Sequence, residues 1–328
     1  KLLDMGFEVK CLDNLSTSMI ENIQHLLDNN KFEFVKGDIR DYDLVNDAIK
    51  DCTHVTHQAA LGSVPRSIDN PFTTNEVNIS GSLNVLICSK NNNIKRFVFA
   101  SSSSVYGDDI DLPKIENKTG ELLSPYAVTK ATVENYASTF NKVYGLETVG
   151  LRYFNIFGPR QSPDGPYAAV IPKFMDAINN NEESTIYGDG EQTRDFTYVE
   201  NAVNANILAL FSEDLKNFGM SFNVACGETI SINNLYITIK KEFAELLQKE
   251  ILAEVKHVSE RLGDVRNSLA DLSNIKKYMN YDPKITVSDG VKNTVEWYLS
   301  GSDKGWRPLT AEGGLNASGR TYIYMAFA

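Results

Sequence analysis

An apolar run, Arg96-Phe97-Val98-Phe99-Ala100, stops at four consecutive serines, Ser101 to Ser104, and about twenty residues later Ser124-Pro125 opens a segment with Tyr126 and Lys130 four positions apart. A short run of that composition suits a strand covered on both faces, as in parallel sheets flanked by helices. Open sheets of this class bind ligands beyond the carboxyl ends of their strands, which is where the serines fall. Ser124 is a favourable helix N-cap and Pro125 a favourable first-turn residue, so a helix should begin just before the tyrosine. Residues four apart on that helix share one face, and Tyr126 and Lys130 point the same way. A phenol with an ordinary pKa near 10 is a poor base at neutral pH, but a neighbouring ammonium favours its phenolate. Serine, phenol and ammonium at a strand end form a device for moving protons.

The spacing alone is weak, because a chain with 15 tyrosines produces it by chance. Tyr236 and Lys240 repeat it, yet no serine-ended strand precedes them, and they read as part of an ordinary amphipathic helix. Elsewhere, strand and helix signals alternate as in a doubly wound sheet. Val9–Leu12 reads as a strand ending at Asp13, Phe32–Val35 as one ending at Gly37-Asp38, and His54–His57 as a third. A helix over Phe72–Asn91 carries Asn78. Beyond about residue 156 Pro and Gly recur, and short strands such as Thr185–Tyr187 and Phe222–Val224 alternate with helices. The fold class is therefore α/β: a Rossmann-like domain over 1–156, a smaller substrate-binding domain over 157–300 with 197–211 returning to the first, and a separate tail over 301–328.

The chain has 328 residues, 42% of them hydrophobic, and no apolar run of membrane-spanning length. A net charge of -11 argues against nucleic acid as partner and leaves any anionic ligand to local arginines. Cys11, Cys52, Cys88 and Cys226 lack paired spacing, so neither a disulfide framework nor a metal site is expected, and a reducing cytoplasm fits. His57 follows a strand and reads equally well as a packed residue or as one lining a site.

Several ordered segments together carry a resemblance. They are His57-Gln58-Ala59-Ala60-Leu61-Gly62-Ser63-Val64-Pro65-Arg66-Ser67, the serine run, Ser124 to Lys130, Leu151-Arg152-Tyr153-Phe154-Asn155-Ile156-Phe157-Gly158, and Gly188-Asp189-Gly190 with Arg194-Asp195-Phe196. From about residue 1 to about residue 300 the chain resembles the extended short-chain dehydrogenase/reductase family, and within it the bacterial UDP-N-acetylglucosamine 4-epimerases. The resemblance implies NAD as cofactor, a UDP-hexose as substrate and a homodimer. It implies Ser102, Ser103, Tyr126 and Lys130 as catalytic residues. Asp13, Asn14, Asp38, Ile39, Ala59, Ala60, Leu61, Asn78 and Tyr153 would join Tyr126 and Lys130 around the cofactor, and Asn155, Val170, Lys173, Tyr187, Arg194, Arg261, Asp264 and Ser268 would hold the substrate.

Related 4,6-dehydratases carry Thr-Asp-Glu where this chain has Ser102-Ser103-Ser104, which favours a redox-neutral epimerisation over water loss. UDP-glucose or UDP-N-acetylhexosaminuronate epimerisation, net nucleotide-sugar reduction and an inactive binding protein remain alternatives. A dinucleotide fold also needs a first strand with a glycine-rich turn, about twenty residues before the acid that matches Asp13. The sequence as given is expected to lack both, to bind NAD poorly, and to leave a slot beside the strand ending at Asp13. From about Gly301 the resemblance stops; the Gly- and aromatic-rich tail resembles repeats of phage structural proteins and reads as a junction segment or, alternatively, an oligomerising tail.

Overall fold

A computed structural model describes residues 1–161, 168–213, 215, 218–260 and 265–300, and the backbone of 321–325. Arg261 and Asp264 lie outside the described residues. Seven strands, β1 (Glu8–Asp13), β2 (Phe32–Lys36), β3 (Cys52–His57), β4 (Arg96–Ser102), β5 (Glu147–Tyr153), β6 (Met220–Val224) and β7 (Thr321–Met325), form one parallel sheet in the order β2-β1-β7-β3-β4-β5-β6. The principal helices are α1 (Tyr42–Ile49), α2 (Ser82–Asn91), α3 (Pro125–Tyr144), α4 (Val170–Asn180), α5 (Val199–Phe211), α6 (Ile232–Leu247) and α7 (Val287–Leu299).

Alternation along β4 sends Phe97 and Phe99 into one core and Val98 into another. The first core packs Val45 of α1, Leu86 of α2 and Val133 of α3 against the sheet; the second packs Ala202, Ala205 and Ala209 of α5 against the opposite face. A third core joins Phe174 of α4, Leu235 and Phe243 of α6 and Val291 of α7 in the smaller lobe. With Phe97, Val98 and Phe99 covered on both faces and Arg96 paired with Glu147 at the amino end, β4 presents its serines at its carboxyl end.

The expected helix over Phe72–Asn91 is continuous but passes through a π turn at Glu76–Gly81. Gly81 sits so close to Ile39 that an added Cβ would lie 2.6 Å from that side chain. The smaller lobe holds paired short strands, Ser184–Tyr187 with Val255–Val258 and Thr193–Arg194 with Ile230–Ser231. Residues 199–211 return to the main sheet as α5, where Phe211 stacks on Phe7 at 4.9 Å between ring centroids.

Two assignments change. Phe222–Val224 belongs to β6 and pairs with β5 at the edge of the main sheet, not within the smaller lobe. The expected slot beside β1 is filled: β7, from the tail, runs parallel between β1 and β3, with Cys11 opposite Tyr324 and His57 opposite Met325. A segment of alternating apolar residues reads as a strand locally, but only the sheet decides where it pairs.

Candidate active site

α3 begins where the sequence indicates. The Ser124 hydroxyl accepts from Ala127 N at 3.1 Å, Pro125 occupies the first turn, and Gly145 ends the helix in a left-handed conformation (φ 71°). On its inner face, the Tyr126 phenol faces the Ser102 hydroxyl, and Lys130 Nζ donates to the Ala100 carbonyl at 2.8 Å. The ammonium also lies 5.8 Å from the centre of the Tyr126 ring. Burial pulls the Lys130 pKa down to about 8, opposed by the negative charge of Glu134. Burial raises that of Tyr126, opposed by its bond from Ser102.

Beside this group the sheet edge opens into a cavity of about 160 Å³ lined by Asp13, Asn14, Asp38, Ile39, Ala59, Ala60 and Leu61. Asp13 is shaped by its own turn, accepting from Leu15 N at 2.6 Å. Asn14 donates to Asp38 at 2.9 Å, and Arg40 forks onto the same carboxylate at 2.8 and 2.9 Å. The Arg40 bonds hold Asp38 well below the usual carboxylate range, against the effect of its partial burial.

Asn78 works one layer behind. The π turn aims its amide at Leu61, accepting from Leu61 N at 2.7 Å and donating to Leu61 O at 3.1 Å and Thr129 Oγ1 at 3.1 Å. It thereby fixes the cavity wall against α3. Tyr153 is set back too, its hydroxyl donating to Gln58 at 3.0 Å and accepting from Asn206 at 2.7 Å. His57 is buried against Ser82 and Phe97, and burial lowers its pKa to about 3. It is a neutral packed residue.

On the other side of the serines, a cavity of about 210 Å³ is bounded by Ser103, Ser104, Ser124, Lys114, Asn155, Arg194 and Ser268. A third, of about 250 Å³, has Val170, Tyr187, Gln192 and Phe196 in its wall. Asn155 and Arg194 border both, so the two form one path from the serines into the smaller lobe. Asn155 holds a left-handed backbone (φ 40°), a conformation Asn tolerates better than most residues, and its amide donates to Asp195 O at 3.0 Å. Asp195 accepts from the backbone N–H groups of Cys226, Gly227 and Ala270 at 3.0–3.2 Å, and burial raises its pKa to about 7. Lys173 lies one turn along α4 from Val170 and does not line either cavity.

A carboxylate-edged cavity and an arginine-bordered path, the latter walled by the Ser103-Ser104 turn and by Ser124 and Ala127 at the start of α3, suit a dinucleotide and a second nucleotide, although Ser102, Tyr126 and Lys130 themselves line neither. A family profile described as GDP-mannose 4,6 dehydratase matches residues 1–294. The chain belongs to this family, within the extended short-chain dehydrogenase/reductases.

Among solved structures, a UDP-N-acetylglucosamine 4-epimerase from Methanobrevibacter ruminantium M1, in complex with UDP-N-acetylmuramic acid, is 42% identical, with 90% of this chain and 91% of that chain covered and a TM-score of 0.81. A Thermus thermophilus UDP-glucose 4-epimerase complexed with NAD is 32% identical (92% and 94% covered, TM-score 0.80). A UDP-glucuronate 4-epimerase from Thermodesulfobacterium geofontis is 31% identical, with 90% of each chain covered.

Sequence reasoning missed Gln58 and Asn206 behind Tyr153, Lys114 in the sugar-side wall, and Glu134. Only Glu134 left a signal. It stands four residues beyond Lys130, on the same helical face.

Proposed function

We propose that this family member is a UDP-hexose 4-epimerase that uses NAD and interconverts UDP-N-acetylglucosamine and UDP-N-acetylgalactosamine through a 4-keto sugar. The observation that carries the reading is the Ser102–Tyr126–Lys130 group with Ser103 and Ser104, rather than acids, on the turn facing the sugar-side cavity. Tyr126 takes the proton of the sugar 4-hydroxyl, Lys130 stabilises the phenolate, and Ser102 holds the phenol and the sugar oxygen in line. Bound NAD supplies the reversible acceptance of hydride from carbon 4. Hydroxyls on Ser103 and Ser104 cannot shuttle protons for water loss, so the ketone has no dehydration route from that turn. Tyr126 returns its proton to the same oxygen after the sugar has presented its other face.

Asp13, Asn14 and Asp38 suit the adenosine half of NAD, Ala59–Leu61 its middle, and Tyr126 with Lys130 its nicotinamide ribose. Assays should supply NAD in excess. Along the path through Asn155, Arg194 and Tyr187, one guanidinium suits a diphosphate oxygen pair. Ser268 leaves room for a sugar 2-acetamido group.

A second substrate reading has its own support. Lys114, 3% exposed, lies in the sugar-side wall, bonded to the Asp109 carbonyl and 3.4 Å from its carboxylate. Released from Asp109, that ammonium would pair with a carboxylate at carbon 6 of the sugar. Turnover of UDP-N-acetylglucosamine against its uronate, followed by anion-exchange chromatography with NAD in excess, separates the two; no interconversion of either would end the epimerase reading.

The outer face of α3 exposes Val128 and Tyr136 next to Ile68 and Phe72, which is 72% exposed. A second copy covering this face gives a homodimer, measurable by light scattering. No helix among the described residues is long and apolar enough to cross a membrane. A cytoplasmic site accords with the nucleotide-sugar reading.

A further inference from the structure

Three successive residues at the end of β4 engage three successive turns of α3. The Ala100 carbonyl accepts from Lys130, the Ser101 hydroxyl donates to the Glu134 carboxylate, and the Ser102 hydroxyl faces Tyr126. Tyr126, Lys130 and Glu134 stand at i, i+4 and i+8, one face of one helix. Arg152, directly opposite Ser101 on β5, closes a fork on the same carboxylate, Nε to Oε1 at 2.9 Å and Nη2 to Oε2 at 2.8 Å. The pair is largely buried, with side chains 8% and 15% exposed, and its carboxylate lines none of the three cavities. Arg152 is braced in turn by the Tyr106 ring at 5.0 Å and the Glu116 carbonyl at 2.9 Å.

We propose that Glu134 is a positioning residue for the Tyr126–Lys130 pair: clamped by Arg152 and Ser101, its carboxylate sets the register of α3 on β4 and supplies the negative charge that Lys130 faces. The inference rests on the reading of Tyr126 and Lys130 as the reactive pair. It differs from packing in a definite way. A buried ion pair is not in itself a source of stability, since apolar replacements of such pairs are often neutral or better. Its distinctive consequence is electrostatic.

The groups around Lys130 are few. Tyr126 and Glu134 lie on its own helix, the Ala100 carbonyl on β4 and Arg152 on β5. His57 on β3 is held neutral at working pH by burial. Burial discharges Lys130, and Glu134 is the group that opposes it.

The test is a titration of Lys130 in the full chain, by the Cε chemical shift of ¹³C-lysine, with the resonance identified by its loss in Lys130→Met. Glu134→Gln keeps an acceptor for Ser101 but removes the charge, and should lower the Lys130 midpoint by about half a pH unit or more. Because that variant strands the Arg152 cation and can fold poorly, Glu134→Gln/Arg152→Met is measured beside it and should move the midpoint in the same direction by less. In the epimerase assay both should lose about tenfold in kcat, with KM for the UDP-sugar within about twofold. A Lys130 midpoint that stays put or rises in the double variant overturns the proposal, whatever the activity. An unmodified chain without epimerase activity would instead count against the proposed reaction, and the titration would still decide the role of Glu134.

Discussion

Two helices of this chain carry a tyrosine and a lysine four residues apart, and the structure puts them to opposite uses. In α6, the Tyr236 hydroxyl and Lys240 ammonium both donate to the Ala253 carbonyl, each at 2.8 Å, so their hydrogen-bonding capacity ties a helix to a following segment. In α3, Lys130 is drawn back to β4 while Tyr126 faces a serine at the strand end, on the helix whose Ala127 walls the sugar-side cavity. The spacing is the same. What differs is the strand underneath: β4 runs apolar through Phe97–Phe99 and brings Ser102 to the phenol at its carboxyl end, whereas the hydroxyl beside Tyr236 belongs to Ser184, at the amino end of a short strand.

The comparison can be broken most severely at the tyrosines. Tyr126→Phe should lose roughly two or more orders of magnitude in turnover, the scale of general acid–base catalysis, while Tyr236→Phe should leave turnover unchanged. Equal losses would erase the distinction. Next in size is the lysine. With its pKa pulled down to about 8, Lys130 loses the ammonium that supports the phenolate as pH rises through that value, so the rate should fall on the alkaline side of about pH 8. In Lys130→Arg the positive charge persists, and the alkaline fall should move to higher pH; the kcat–pH profiles of the two proteins check this.

Smaller again is the effect of size at the sugar-side wall. Ser268→Tyr should reduce kcat/KM for UDP-N-acetylglucosamine by about tenfold or more while sparing UDP-glucose, because a steric clash penalises only the substrate that fills the space. Smallest is the structural counterpart: Tyr236→Phe removes one hydrogen bond to a carbonyl that Lys240 still satisfies, and should cost about 0.5–1 kcal/mol in urea unfolding.

The placement of Tyr126 and Lys130 on one helix beyond a serine-ended strand is legible because its signals are local: an apolar run, serines, a cap, a helix period. That Asp13 and Gly37-Asp38 share one cavity is legible for a related reason, since a parallel sheet brings the ends of its strands to one edge. Sheet membership is not. Phe222–Val224 reads as a strand in isolation, and nothing nearby indicates that it pairs with β5. The tail shows the same limit, as Thr321–Met325 takes an interior position between β1 and β3. Asn78 and Tyr153, which the resemblance places around the cofactor, spend their polar atoms on protein: Asn78 on Leu61 of the cavity wall, Tyr153 on Gln58 and Asn206 behind it. Burial and partner geometry decide such roles, and spacing does not carry them.

The central claim is that the Tyr126 group runs a redox cycle that closes on itself at carbon 4. UDP-N-acetylglucosamine carrying deuterium at carbon 4, incubated with the chain and excess NAD, should yield UDP-N-acetylgalactosamine with the deuterium still at carbon 4 and no accumulation of NADH by absorbance. Loss of the label to solvent, or NADH formed in step with product, would contradict it.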